Sequence, residues 1–173
     1  RKNLLRLIEA YAHYRKAINP EQAWDLVICG SGKEEANIRS HIQTYHLENN
    51  IHLPGFQTYQ DIPYWFGLAK AFIHPALSEQ WGLVVNEALA AGLPALVSNR
   101  CGCYPELIVE NVNGFGFNPE NPQQITELML KMSSGEINLE KMGQASLEHI
   151  HKFSPDHFGE GLIQAVQYAL AHS

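Results

Sequence analysis

A chain of 173 residues, 45% hydrophobic and 17% charged, has room for one domain with a sizeable core. Its formal charge of −6 argues against a nucleic-acid surface, which needs clustered lysine and arginine. No apolar run reaches the length of a membrane span, and the lack of a signal-peptide pattern carries little weight in a chain that starts at Arg1 without a methionine.

In chain order, the apolar spacing of Leu4, Leu5, Leu7, Ile8, Tyr11 and Ala12 predicts a helix over Lys2 to Ile18, ended by Asn19-Pro20. Trp24 to Cys29 reads as a short strand, and Gly30-Ser31-Gly32 turns the chain into a helix over Lys33 to His46, with Ile38 and Ile42 inward. Ile51-His52-Leu53 is a second strand stopped by Pro54-Gly55. Asp61 to Leu68 reads as a short helix whose Pro63 must lie in the first turn. Ala71 to Pro75 is a third strand, and Leu83 to Ala91 a helix ended by Gly92 and Pro94. Pro94 to Ser98 is a fourth strand, Tyr104 to Val109 one or two helical turns, and Gly114 to Phe117 an edge strand. Helices over Pro122 to Met132, Leu139 to His151 and Pro155 to Ala171 complete the chain.

Apolar strands alternating with helices predict an α/β fold: a three-layer, doubly wound, mostly parallel Rossmann-like sheet in a single domain over residues 1–173. Ligand loops in such a layer lie at strand C-termini, where Gly30, Pro54-Gly55, Pro75 to Glu79 and Ser98 to Gly102 fall.

The most informative stretch runs from Glu79 to Pro94. Glu79 and Glu87 stand with seven residues between them, the first in a loop before a helix and the second a little over one turn inside it. Gly82, lacking a Cβ, lets a ligand approach the backbone, and the free N–H groups at the helix start suit an anion such as a diphosphate. A negative ligand between two carboxylates makes sense if the carboxylates accept hydroxyl groups, as from a sugar and a ribose. Each glutamate also has a plain reading, as a solvated loop or helix charge. The apolar helix around Glu87 weighs against it, because a carboxylate there needs a partner.

The remaining motifs are weaker. Gly30-Ser31-Gly32 lacks the third small residue of a dinucleotide fingerprint, and Glu35 stands in its place, so NAD or FAD is not expected. Cys29 reads as a small buried residue, and Cys101-Gly102-Cys103 is too closely spaced for the usual zinc or redox patterns. An odd cysteine count without a disulfide framework favours a cytoplasmic protein. The nine histidines form no cluster of metal ligands, so no metal is expected. Arg1 and Lys2 read either as a solvated basic pair or, for Lys2, as a phosphate contact. His74 reads as a hydrogen-bonded strand-end residue in preference to an acid or base, and Trp81 as either packing or stacking.

Together these blocks resemble the C-terminal, donor-binding domain of retaining glycosyltransferases of the GT-B fold, family GT4 (glycosyl transferases group 1). The resemblance rests on Lys2-Asn3-Leu4-Leu5, Cys29-Gly30-Ser31-Gly32, Ile51 to Phe56, His74 to Pro94 with its E-x7-E spacing, Gly102 with Glu106, and Gly114 to Pro119, in that order. It implies a UDP-, ADP- or GDP-sugar as substrate, with no cofactor and no metal, and hexose transfer to a glycan, lipid or small-molecule acceptor. It implies that Glu79 meets the donor sugar beside the anomeric carbon, that Glu87 holds the ribose, and that Gly82, Leu83 and Val84 bind the diphosphate with Lys2. Leu53 would flank the base, and Gly30 would let the nucleotide lie close. Retention is implied by the family, and Glu79 is either a nucleophile or an electrostatic and positioning group; a front-face route, in which the leaving phosphate helps deprotonate the acceptor, needs no protein nucleophile and is favoured.

Trp81, Cys103, Asn3 and Lys70 depart from the family pattern, the first two where they could reshape the sugar pocket. By the same resemblance, the first strand of this domain and a partner N-terminal acceptor domain lie outside the chain; any peripheral membrane contact would run through that domain, and the chain alone should not catalyse transfer. The last helix resembles the segment that approaches the crossing between domains. The alternative function is a non-catalytic nucleotide-binding or assembly module of the same fold. An epimerase or a phosphorylase of the same architecture fits less well; a phosphorylase would need a lysine for pyridoxal phosphate, and no lysine lies in a suitable loop.

Overall fold

The computed structural model describes residues 1–172. The elements follow the expected alternation: α1 (Leu4–Ala17), β1 (Leu26–Cys29), α2 (Glu35–Thr44), β2 (Ile51–Gly55), α3 (Ile62–Leu68), β3 (Phe72–His74), α4 (Leu83–Ala90), β4 (Ala95–Ser98), α5 (Tyr104–Leu107), β5 (Gly114–Phe117), α6 (Pro122–Ser133), α7 (Leu139–Ile150) and α8 (Pro155–Ala171). A 3-10 turn at His151–Phe153 joins the last two. Strand pairing is parallel throughout the described residues, but in two pieces: β1 with β2, and β3 with β4 with β5. The expected mostly parallel sheet is therefore present as two parallel sheets rather than one continuous ladder.

Strand β4 shows why the architecture has three layers. All four of its residues are buried, and successive side chains point to opposite faces. Leu96 enters a core built with Leu7, Ile8 and Tyr11 of α1, Ile38 and Ile42 of α2, and Ile125 and Met132 of α6. Ala95 and Val97 enter a second core with Val85 and Leu89 of α4 and Leu107 of α5. Helices thus cover both faces, as a fully buried parallel strand requires. Side-chain caps set the starts of the later helices: Asn121, Asn138 and Ser154 accept from Gln124, Lys141 and His157 N–H. Helix α8 departs from this packing. None of its side chains is buried, and Phe158, Leu162, Ile163, Val166 and Tyr168 are exposed. No helix among the described residues is long and apolar enough to cross a membrane.

Tyr11 ties α1 to the first sheet. It is 2% exposed, and its hydroxyl donates to the Trp24 carbonyl at 2.8 Å with the Asn50 carbonyl at 3.2 Å. Burial pushes its pKa up to about 12. The unfolded chain ionises this tyrosine near pH 10, before the folded one does, so its contribution is intact below pH 10 and is lost as pH rises through about 12. Urea midpoints measured from pH 9 to 12 are expected to fall, and the Tyr11→Phe variant should lack on the order of 2 kcal/mol of that fall.

Candidate active site

The candidate site begins where β3 ends. Leu77 N–H donates to the Arg1 carbonyl at 3.0 Å, which brings the start of the chain beside the loop after β3. Asn3 then turns into α1 with φ 61°, a left-handed conformation that glycine adopts freely and asparagine tolerates. This accounts for asparagine at the position where the resemblance leads one to expect glycine. Its amide donates to the Pro119 carbonyl at 2.7 Å, fixing the base from which Lys2 projects.

The loops after β3 and β4 are joined by backbone bonds. Gly102 N–H donates to the Glu79 carbonyl at 2.9 Å, and Cys103 N–H to the Trp81 carbonyl at 3.3 Å. A Cβ on Gly102 would lie 1.9 Å from the Gln80 carbonyl oxygen, so only glycine allows this approach. Gly102→Ala is expected to cost about 1–3 kcal/mol, the usual range for overpacking against backbone, measured as a lower midpoint in urea.

Those contacts hold Glu79 over the start of α4. Its side chain is 13% exposed; Oε2 lies 2.6 Å from Lys2 Nζ and Oε1 3.2 Å from Arg1 Nη2. The Lys2 hydrogen bond holds the Glu79 carboxyl below the usual carboxylate range, against the opposing effect of burial. Lys2 and Arg1 are themselves 59% and 67% exposed, so solvent competes for both cations. Gly82 precedes α4 with φ 97°, and a Cβ there would sit 3.3 Å from Glu79 Cγ and 3.7 Å from Cys103 Sγ. Among the described residues, no side chain caps α4. The first-turn N–H groups of Leu83 and Val84 lie at the open positive end of its dipole, and Leu83 is 70% exposed. Trp81 proves to be packing: it lies against the second core, and its indole N–H donates to Asn86 Oδ1 at 2.9 Å, pinning the turn to the helix.

Glu87, one turn into α4, is half-buried and has the partner its apolar surroundings demand. Tyr59, 85% exposed on the β2–α3 loop, donates its hydroxyl to Glu87 Oε1 at 3.2 Å. A Thr58–Asp61 turn, with bonds of 3.2 and 2.6 Å to Asp61 Oδ2, shapes that loop. Gly30 and Leu53 lie on the other sheet. Gly30, at φ 127° with open space around it, donates to the Gly55 carbonyl at 2.8 Å. Leu53 is half-buried against the first core. The structure thus brings Lys2, Glu79 and Gly82 together, with Glu87 further along α4 in contact with Tyr59.

Three features differ from the sequence expectations. Arg1 is bonded to Glu79 and to the Ser78 carbonyl, not merely solvated. Cys29, expected to be buried, is exposed at the end of β1; a strand of the two-stranded sheet has fewer neighbours than one within a continuous sheet. His74, expected to be hydrogen-bonded, is buried with no partner for Nε2 among the described residues. Arg1 and Tyr59 gave no sequence signal, because each meets its glutamate across a large sequence separation.

The description Glycosyl transferases group 1 belongs to the family model that matches residues 1–149. The chain belongs to that family. Among group 1 relatives, the amylovoran biosynthesis glycosyltransferase AmsK of Erwinia amylovora is 30% identical over 122 residues, 67% of this chain and 30% of that protein. A sucrose-phosphate synthase structure from Thermosynechococcus elongatus aligns with TM-score 0.82 at 19% identity, over 100% of this chain and 43% of that one. The C-terminal domain of a glycosyl transferase group 1 family protein, LpcC, from Francisella tularensis aligns with TM-score 0.74 at 24% identity, over 87% of this chain and 78% of that one. The structural likenesses show a shared fold, that of the Rossmann-like domains of GT-B glycosyltransferases. This group 1 domain spans between 10% and 35% of the length of the curated relatives it matches.

Proposed function

We propose that this chain is the donor-binding domain of a retaining, metal-independent hexosyltransferase whose substrate is a nucleotide diphosphate sugar. The observation that carries the reading is the arrangement at α4. A carboxylate that is 13% exposed, Glu79, stands with Lys2 before an uncapped helix start, and a second, Glu87, lies one turn further on with a hydroxyl already bound. The helix start and Lys2 supply positive charge for a diphosphate, in the ground state and as it leaves. The Tyr59 hydroxyl on Glu87 stands where a ribose hydroxyl would bind, and Glu79 is left for hydroxyls of the sugar. Leu53, in the middle of β2, and Gly30, just after β1, would border the path of the base.

In this reading Glu79 positions and stabilises the donor, and the departing phosphate helps to take the acceptor proton on the same face. The acceptor would be bound by a further domain of the protein, against which the exposed apolar residues of α8 would pack. Titrating the chain with uridine, adenosine and guanosine diphosphates and their hexose derivatives tests the binding role. Saturable binding of one series is the expected result, and folded chain that binds none of them would contradict it.

A further inference from the structure

We propose that His74 is the positioning residue of Glu79, its Nε2–H donating to the Glu79 carboxylate once a bound diphosphate has drawn Lys2 away. The inference rests on the donor-binding reading of the cleft. His74 closes β3 in register with Val97 of β4 and is 6% exposed. Its Nε2 is fully enclosed and without a hydrogen-bond partner among the described residues. Folds rarely leave a buried polar atom unpaired, because the lost hydration is not replaced. Glu79 Oε2 lies 3.9 Å from this nitrogen, just too far for a hydrogen bond, and is held instead by Lys2 at 2.6 Å.

The two partners differ in freedom. The imidazole is stacked on Phe72, with centroids 6.2 Å apart and planes at 15°, and sits in a strand between Phe72 and a buried Pro75. A Cβ on Gly82 would approach Nε2 to 3.6 Å, so the turn before α4 also walls it in. The carboxylate, by contrast, lies on a loop and is held by two exposed cations. Burial, reinforced by Lys2 and opposed by Glu79, lowers the His74 pKa. The ring is therefore neutral near pH 7, with a proton on one nitrogen to donate and no added charge.

A diphosphate at the start of α4 would compete with Glu79 for Lys2. Glu79, its side chain mostly buried, would then need another donor, and His74 is already in place. At Oε2 one hydrogen bond replaces another, and Oε1, which Arg1 contacts at 3.2 Å, keeps a lone pair for a sugar hydroxyl.

The test uses kinetics of the complete protein and spectroscopy of the chain. His74→Phe is expected to lower kcat about 10- to 100-fold, the scale of one hydrogen bond to a charged group, with KM for the sugar nucleotide changed less than about threefold. His74→Gln, which keeps a donor, should recover kcat to within about threefold. In a Glu79→Ala background the His74→Phe loss should vanish, since there is no carboxylate left to position. Wild-type kcat in His74→Phe, or equal losses in both backgrounds, would overturn the proposal. If His74→Phe fails to fold, nitrogen-resolved NMR of the wild-type chain decides. Uridine, adenosine or guanosine diphosphate, whichever binds, should shift the His74 Nε2 proton downfield. An unmoved His74 signal in nucleotide-bound chain overturns the proposal, whereas no binding by any of the three overturns the donor-binding reading and this inference with it.

Discussion

Glu79→Gln in the complete protein is expected to lower kcat about 100- to 1,000-fold, while KM for the sugar nucleotide changes less than about fivefold. That is the scale on which one preorganised electrostatic contact at a reacting centre acts. The substitution keeps the shape of the side chain and removes its charge, so the loss measures the charge that the site holds at 13% exposure beside the uncapped start of α4. Because Lys2 holds the Glu79 carboxyl below the usual range, this group is ionised at neutral pH and down through mildly acid conditions. Any acid limb it contributes to the kcat/KM profile, which reports the free enzyme with Lys2 on Glu79, therefore lies below the ordinary glutamate range. Steady-state kinetics of both forms across pH checks both points. A Glu79→Gln enzyme with near wild-type kcat would remove Glu79 from the chemistry.

Glu87→Ala is expected to act on binding. The nucleoside diphosphate Kd should rise about 10- to 100-fold, the combined scale of one or two hydrogen bonds to an ionised acceptor, with kcat at saturation little changed. The ligand-free site explains why the effect should be large. Glu87 lies on a helix rich in apolar side chains and holds a neutral hydroxyl, that of Tyr59 at 3.2 Å. A ribose offering hydroxyls would displace an exposed tyrosine at little cost. Tyr59→Phe therefore should bind the nucleotide as well as wild type or up to about threefold more tightly, since it removes a competitor. Calorimetric titration of the chain separates the two variants. An unchanged Kd in Glu87→Ala would mean that the ribose lies elsewhere.

The parts of this site that sequence could reveal are those set by local spacing. Leu83 to Ala90 is helical because helix-forming residues run between two glycines that adopt positive φ, Gly82 and Gly92, and that places Glu79 before the helix and Glu87 inside it. The strands were legible as short apolar runs, the first three stopped by glycine or proline, and all five appear within a residue or two of the expected bounds. Tertiary partners were not legible. Tyr59 lies 28 residues from Glu87 and Arg1 lies 78 from Glu79, and no periodicity connects such pairs. The enclosure of His74 arises because Gly82 and Phe72 close around it, which neither residue announces alone. Cys29 was misjudged because an apolar strand residue is expected to be covered, whereas this end of β1 is open.

In the proposed function, a nucleoside diphosphate lies across the start of α4 between Glu79 and Glu87. A crystal structure of the chain with the nucleoside diphosphate that binds most tightly tests it directly. The diphosphate is expected at the N–H groups of Leu83 and Val84 with Lys2 turned onto it, and ribose hydroxyls on Glu87 in place of Tyr59. A nucleotide bound elsewhere, with Lys2 still on Glu79 and Tyr59 still on Glu87, would contradict it.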